Sequence, residues 1–335
     1  MRILFAGTPE IACPALAALI DEQIASGGRV CEVAGVLTNA DAAQGRRSEL
    51  QPSAVGAAAE IHSGRLCAAG CAPLAIFKFE RLSAAEISPI KAVNCGLLVS
   101  FAYGKIFPSA FLDIFSMGGV NIHPSLLPKY RGPSPIQTAI LKQEAETGIT
   151  IQRLSAEMDA GNILAQESFP LDGTETSGTL STVAAERGAA MLVRMIRDLQ
   201  AGNTTERAQD AAQATFCEKL NRHSGRIDWG KSARVVDAQI RALSPEILCQ
   251  TQHGERMLYI LEGSVFSGTI EPVMMTDAGS PAPGTVLGQH KKEGILIQCG
   301  EGVYAARVVQ YGAKKALDFR AFMNGAKNFT GTLLS

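Results

Sequence analysis

The chain has 335 residues, a formal net charge of −1, and 46% hydrophobic against 19% charged residues. A single core usually stops growing near about 250–300 residues, so two domains are expected. The near-zero charge balance excludes a global basic field for nucleic acid, though it leaves room for a local basic face. No apolar run reaches the roughly 18 residues of a membrane span. The start, Arg2 followed by Ile3-Leu4-Phe5-Ala6-Gly7, opens like a secretory leader, but Pro9 and Glu10 end the apolar run too early. Eight cysteines are scattered, with only Cys67 and Cys71 close together and His62 the one imidazole near them. That set lacks a fourth ligand, so no metal is expected and free thiols in a reducing cytoplasm are the better reading.

In chain order, Arg2 to Ala6 reads as a strand, Gly7-Thr8-Pro9 as a tight turn, and Glu10 to Asp21 as a helix. The turn is not G-x-G-x-x-G, so no dinucleotide site is expected. A second strand follows at Glu32 to Leu37. Thr38 to Leu50 is polar and flexible in composition, with Arg46 and Arg47 adjacent. Gln51 to Ile61 suits a helix after Pro52. Ile76 to Phe79 suits a short strand, and Ser83 to Ile87 a helix. Ala92 to Ala102 is almost continuously apolar, as in a parallel strand buried on both faces.

Val120 to His123 is the next expected strand, and Ser134 to Lys142 the next helix. Thr150 to Leu154 alternates enough for an edge or antiparallel strand, residues 158–161 make a turn, Ile163 to Phe169 another strand, and Ser177 to Leu199 a long helix. Strands alternating with helices predict a doubly wound, Rossmann-like α/β domain with a mostly parallel sheet. A polar connection runs to Asp228. After the only Trp, Trp229, a helical run covers Lys231 to Ala242. From about Cys249 short strands with Gly and Pro turns predict a small, OB-like β-barrel. The boundaries read as 1–203 for the first domain, 204–228 for a linker and 229–335 for the barrel.

The chemistry concentrates in Val120 to Gln137. Asn121 and His123 are two apart, so a strand puts them on one face. Four prolines stiffen the loop behind them, which also carries Lys129 and Arg131. Asp159 lies on a later turn. If it meets His123, the carboxylate orients the imidazole, the imidazole moves a proton, and the Asn amide donates to a developing oxyanion. No nucleophile motif such as G-x-S-x-G is present, so the set suits direct attack by a substrate nucleophile on a carbonyl. On residue chemistry alone, a satisfied core histidine beside a turn aspartate is an equally good reading.

The segment NIHPSLLPKYRGPSPIQTAI resembles the signature of the folate-dependent formyltransferases, in the form N-x-H-x-SLLP-x-x-RG before a P-I-Q helix. The stretch TGITIQRLSAEMDAGNILAQ resembles the same family's aspartate segment. RILFAGTPE, AYGKIFP, RIDW and GAKKALDFRAFMNG match as well, so the resemblance covers nearly the whole chain, and the C-terminal part points to the tRNA-modifying branch. It implies catalytic roles for Asn121, His123 and Asp159. It also implies folate contacts at Ser125, Leu126, Leu127 and Pro128, with Tyr103 and Gly104 lining the pterin pocket through backbone groups. For tRNA it implies Arg46 and Arg47 on a basic loop, joined by Lys314 and Lys315; Ala42, Ser48 and Glu49 stand where the family commonly has further Lys or Arg. The implied reaction moves the formyl group of 10-formyltetrahydrofolate onto the methionine of initiator tRNA for translation initiation, by a metal-free monomer in the cytoplasm. A sugar-nucleotide formyltransferase or a non-catalytic RNA-binding protein on the same scaffold are the alternatives.

Overall fold

The computed structural model describes residues 1–44, 49–269 and 281–335. Its elements follow the chain as β1 (Arg2–Gly7), α1 (Cys13–Ser26), β2 (Glu32–Thr38), β3 (Ala42–Gln44), β4 (Glu49–Gln51), α2 (Ala54–Ala68), β5 (Ala75–Lys78), α3 (Ala84–Ala92) and β6 (Leu97–Phe101). Then come α4 (Ser109–Leu112), β7 (Gly119–His123), α5 (Pro135–Leu141), β8 (Glu146–Arg153), β9 (Ile163–Pro170) and α6 (Ser177–Ala201). The remainder is α7 (Ala233–Leu243), β10 (Cys249–His253), β11 (Arg256–Val265), β12 (Val286–His290), β13 (Gly294–Gln298), β14 (Val303–Tyr311), β15 (Leu317–Asp318) and α8 (Phe319–Gly325). Two compact units result. The first holds residues 1–135, 146–170 and 179–218, and the second 136–145, 171–178 and 219–335.

The first unit is built on a seven-stranded sheet in the order β5-β2-β1-β6-β7-β8-β9. The first five strands are mutually parallel, while β8 and β9 are antiparallel additions. Ile3 to Ala6 and all of β6 are buried, as a central strand covered on both faces requires. On one face Leu4, Ala6, Leu37 and Leu98 meet Tyr103, Phe111 and Phe115. α1 carries Pro14 in its first turn and ends at Gly27, whose φ of 60° permits a left-handed cap donating to Gln23 and Ile24.

Three local expectations change. The apolar run from Ala92 is not one strand. A Ser83–Glu86 capping box starts α3, which runs to Ala92, and Asn94 then adopts φ 55°, so the strand begins only at Leu97. Within Thr38 to Leu50, read as an irregular polar loop, β3 and β4 pair as Ala42↔Gln51, Ala43↔Leu50 and Gln44↔Glu49. Arg46 and Arg47 lie outside the described residues. The strand expected at Thr150 to Leu154 as edge or antiparallel is antiparallel but not an edge: it starts at Glu146, is buried from Thr147 to Gln152, and sits inside the sheet with β9 at the edge.

In the second unit, five strands pair antiparallel in the order β10-β11-β14-β13-β12, with β15 added to β14. The two outer strands are joined through the last residues of the chain. Leu334 bridges His253 at the end of β10, and Leu333 bridges Thr285 just before β12. Gln252 and Ser335 exchange both main-chain hydrogen bonds, while Val286 N–H donates to Thr332 and Leu334 N–H to Gly284. The pairings therefore close into a ring, which removes the open edges a five-stranded sheet would have. Trp229 is buried beneath it and donates from Nε1 to the buried Thr251 hydroxyl at 3.0 Å. α7, capped by Ser232, packs on β10, β11 and β14. α8 had no counterpart in the sequence reading; Asp318 caps it by accepting from Arg320 N–H and Ala321 N–H. No helix among the described residues is long and apolar enough to cross a membrane.

Leu334 is 2% exposed and supports the closing segment. Leu334→Ala should lower unfolding free energy by about 2–5 kcal/mol. Chemical denaturation reads this directly, and an unmoved midpoint would remove the closing role from these residues.

Candidate active site

β1, β6 and β7 end side by side, and their loops converge at the carboxyl ends of the parallel strands. Open α/β sheets commonly place ligands there. The Thr8 hydroxyl donates to the Tyr103 carbonyl at 3.0 Å, which ties the loop after β1 to the loop after β6. Asn121 sits on β7 between Ser100 of β6 and Gln152 of β8, and His123 pairs with Thr150. The expected i, i+2 relation holds, since both residues lie on one strand. Asn121 is half-buried and His123 is only 4% exposed.

The histidine is oriented from both sides. Its Nε2 lies 2.8 Å from the Tyr130 carbonyl. A carbonyl only accepts, so Nε2 carries a hydrogen. Its Nδ1 faces the Asp159 carboxylate, 3.6 Å from Oδ1. That separation is beyond hydrogen-bond length, so an Nδ1 proton feels the carboxylate without being fully committed to it. Oδ1 of Asp159 accepts from Gln152 Nε2 at 2.8 Å, and Oδ2 accepts from Gly132 N–H at 2.9 Å. Asp159 has φ 52°, a left-handed conformation that Asp tolerates in a tight turn. Behind it, Gly161 passes against the Arg153 carbonyl so closely that any side chain would collide with it.

The loop after β7 is held by buried polar contacts as well as by proline. Ser125 is fully buried and donates to the Lys129 carbonyl at 2.6 Å. The buried Thr150 hydroxyl donates to Ser125 O at 2.7 Å and accepts from Leu127 N–H at 3.2 Å and from Gln166 Nε2 at 2.8 Å. Residues 202–218 hold the loop's other side and are no free tether. Tyr130 N–H donates to the Thr215 hydroxyl, and main-chain hydrogen bonds join Arg131 to Thr215 and to Cys217. Of the residues expected to meet folate, Ser125 and Leu127 are buried, whereas Leu126 and Pro128 are half-buried.

Tyr103 is 2% exposed and belongs to the core cluster, stacked on Phe107 at 5.1 Å. Burial pushes its hydroxyl up to about 12, and that hydroxyl finds no hydrogen-bond partner. Its side chain therefore serves the core. Gly104 next to it has φ 81°, and a Cβ there would meet open space, so the main chain of this loop is accessible. Lys314 and Lys315 are exposed on the turn after β14, in the other unit. A cavity of about 340 Å³ between β9 and α6 includes Gln166, Glu167, Arg194 and Asp198 but none of Asn121, His123 or Asp159. Among the described residues no group of acidic, His and Cys side chains has the arrangement of a metal site.

Sequence reasoning missed Gln152 and Gln209. Gln152 is 1% exposed and donates to Asp159, while Gln209 Nε2 approaches Gln152 Oε1 at 3.2 Å and the carbonyls of Asp159 and Gly161 at 2.8 Å each. Arg131, which read as a turn charge, is 4% exposed and donates from Nε and Nη2 to Gln209 Oε1. A polar residue in a buried strand was the available signal for Gln152; nothing in sequence marked Gln209.

Comparison with known proteins matches residues 1–196 to the model described as formyl transferase, and residues 219–327 to the formyl transferase C-terminal domain. A relative from Treponema denticola named methionyl-tRNA formyltransferase is 37% identical over 331 residues, covering 98% of each chain. Among solved structures, HypX from Aquifex aeolicus is similar with a TM-score of 0.59 at 16% identity; this chain, 98% of it aligned, spans about half of HypX, 49%. WlaRD, a sugar 3N-formyl transferase, gives a TM-score of 0.59 at 18% identity, covering 94% of this chain and 99% of its own.

Thr150→Val keeps the shape but removes a buried hydroxyl with three polar neighbours. It should destabilise the protein by about 1–3 kcal/mol. Stability at the parental level in a urea titration would show that the loop is held without it.

Proposed function

The chain belongs to the formyl transferase family, and on that premise we propose that it transfers the formyl group of 10-formyltetrahydrofolate to the α-amino group of methionyl initiator tRNA. The observation that carries the chemistry is the His123–Asp159 pair, with Nδ1 3.6 Å from the carboxylate and Nε2 held by Tyr130, on the strand that also carries Asn121. Substrate identity is supported by the methionyl-tRNA formyltransferase relative, aligned over nearly the whole chain, and by the matched C-terminal domain.

The amine attacks the formyl carbon directly. The new C–N bond forms as the carbonyl oxygen takes up negative charge. Asn121 donates its amide hydrogen to that oxygen, and the Nδ1 hydrogen of a protonated His123 turns to it from beside Asp159. Asp159, facing the imidazole, receives the amine's proton, directly or through water. The oxyanion then re-forms the carbonyl as the C–N bond to folate breaks, and the folate nitrogen takes up the proton that Asp159 received. Leu126, Pro128 and the accessible main chain around Gly104 are positioned to hold the donor, and Tyr103 supports them from the core.

Residues 1–203 would perform the chemistry, 204–228 would connect, and 229–335 would bind tRNA, with phosphate contacts from Lys314, Lys315, Arg46 and Arg47. The site of action would be the cytoplasm, and the working form a monomer. The sugar-nucleotide alternative is disfavoured, because the likeness to WlaRD at 18% identity extends to fold alone while the relative named methionyl-tRNA formyltransferase aligns at 37% identity over 98% of each chain. A purely RNA-binding role gives no reason for the oriented His123–Asp159 pair.

The deciding assay compares formyl transfer to initiator and elongator methionyl-tRNA, with the initiator strongly preferred. Asn121→Ala should lower kcat by about two to three decades, the usual loss of one oxyanion donor. Asp159→Asn should also be severely impaired; full single-turnover activity in either variant would sink these roles. Affinity for tRNA should fall steeply with salt, and changing both Lys314 and Lys315 to Ala should flatten the log–log slope by about 2. An unchanged slope would take the two lysines out of the interface.

A further inference from the structure

The Asp159 carboxylate is not held by the catalytic residues alone. Arg131 is a permanent cation that can only donate, and its Nε and Nη2 reach Gln209 Oε1 at 3.1 and 2.9 Å. That fixes which end of the Gln209 amide faces Arg131. The opposite end, Nε2, must therefore point at Gln152 Oε1, 3.2 Å away, and at the carbonyls of Asp159 and Gly161. With its oxygen facing Gln209, Gln152 presents Nε2 to Asp159 Oδ1 at 2.8 Å. Each amide orientation follows from the one before it, so the hydrogen bonds all run in one direction, from a cation to a carboxylate.

We propose that Arg131, Gln209 and Gln152 form a one-directional hydrogen-bond relay that positions the Asp159 carboxylate and keeps it an acceptor facing His123. This deepens the reading of His123 and Asp159 as the reacting pair, and rests on it. The relay members are positioning residues, since none of them is placed against the reacting atoms. Two features support the inference. Gln152 and Arg131 are almost fully buried, where an amide turned the wrong way would face the carboxylate with its own oxygen. Gln209 also donates to the main chain of the turn carrying Asp159, so one side chain orients both the turn and the Gln152 amide. Gln209 comes from the polar connection after α6, far in sequence from every other member.

The charged and titratable groups around this carboxylate are His123 from β7, Arg131 from the loop that follows, and Glu157 from the turn of Asp159 itself, paired with Arg131 at 3.3 Å. Arg153 of β8 is engaged by Glu206. In a wild-type-sized frame, Gln152→Glu replaces the donor by a group that is an acceptor when ionised and a donor when protonated. Two adjacent carboxyls tend to share one proton, so the introduced group regains its donor role as pH falls.

The test measures kcat for the parent, Gln152→Glu, Gln209→Leu and Asp159→Asn between about pH 8 and about pH 6, as a ratio to the parent so that the amine's own titration cancels. At the alkaline end Gln152→Glu should lose about tenfold to a hundredfold in kcat, with KM for both substrates within about twofold. Its ratio to the parent should climb toward acid pH. Gln209→Leu, at a half-buried position, should lose about tenfold with a ratio that stays flat. A flat ratio for Gln152→Glu would mean simple structural damage and overturn the relay, as would parental kcat in Gln209→Leu. Should Gln152→Glu fail to fold, the Gln209→Leu rate decides. Full activity in Asp159→Asn would overturn both the relay and the reaction scheme beneath it. An inactive Asp159→Asn beside parental glutamine variants would overturn the relay alone.

Discussion

The site depends on the hydrogen bond between His123 Nε2 and the Tyr130 carbonyl. Because the acceptor is main chain, it cannot titrate and cannot rotate away. It assigns a hydrogen to Nε2 and leaves Nδ1 to face Asp159. The geometry of the loop from Ser125 to Gly132 is what keeps that carbonyl in place. This explains the density of buried polar contacts in the loop: Ser125, Thr150 and Gln166 on one side, Thr215 and Cys217 on the other. Proline stiffness alone would not fix a carbonyl to within the tolerance of a hydrogen bond; interlocked donors and acceptors do.

The same logic shows how β8 serves the site. A parallel sheet that stopped at β7 would leave His123 on an edge strand. Adding β8 antiparallel puts Thr150 opposite His123 and Gln152 opposite Asn121. Period-two alternation then places two polar side chains of one buried strand two positions apart, one holding the loop and one holding Asp159. β8 itself runs from Thr150, opposite His123, to Arg153, opposite Val120, and so away from the histidine end of β7. The turn with Asp159 therefore folds back beside Gln152 to reach the histidine, and Gly161 lets that turn pass close against the Arg153 carbonyl.

Legibility in sequence followed locality. Asn121 and His123 are two apart on a strand whose apolar neighbours announce it, so their common face could be read directly. The barrel strands could be read from short runs between Gly and Pro. Asp159 required resemblance, because nothing local says which turn faces which strand. Gln209 was beyond reach: a glutamine in a polar connection looks like solvent-facing chain until Arg131 and Gln152 are placed beside it. Tyr103 is a different case. Its motif was expected to offer main-chain groups only, and the burial of the side chain in the core agrees with that, but its place in the core could not be read from the motif. A barrel was expected in the second unit, but the segment that closes it was not, because it uses isolated bridges from the last residues, too few for any periodicity.

The closed ring bears on how the second unit can present charge. β14 leads into the turn with Lys314 and Lys315 through Tyr311, which carries the Arg256 guanidinium 3.6 Å above its ring and bonds its hydroxyl to His253 Nδ1 at 2.6 Å. Phe322 of α8 and Phe329 pack on the same cluster. A guanidinium stacked on an aromatic face is held in one orientation with its edge left to other acceptors. Burial and the nearby Arg256 both push the His253 imidazole below its usual value, so near neutral pH the ring adds no second charge to the cluster. An arginine fixed on an aromatic platform has already given up the rotamer freedom that a free side chain would lose on meeting an acceptor.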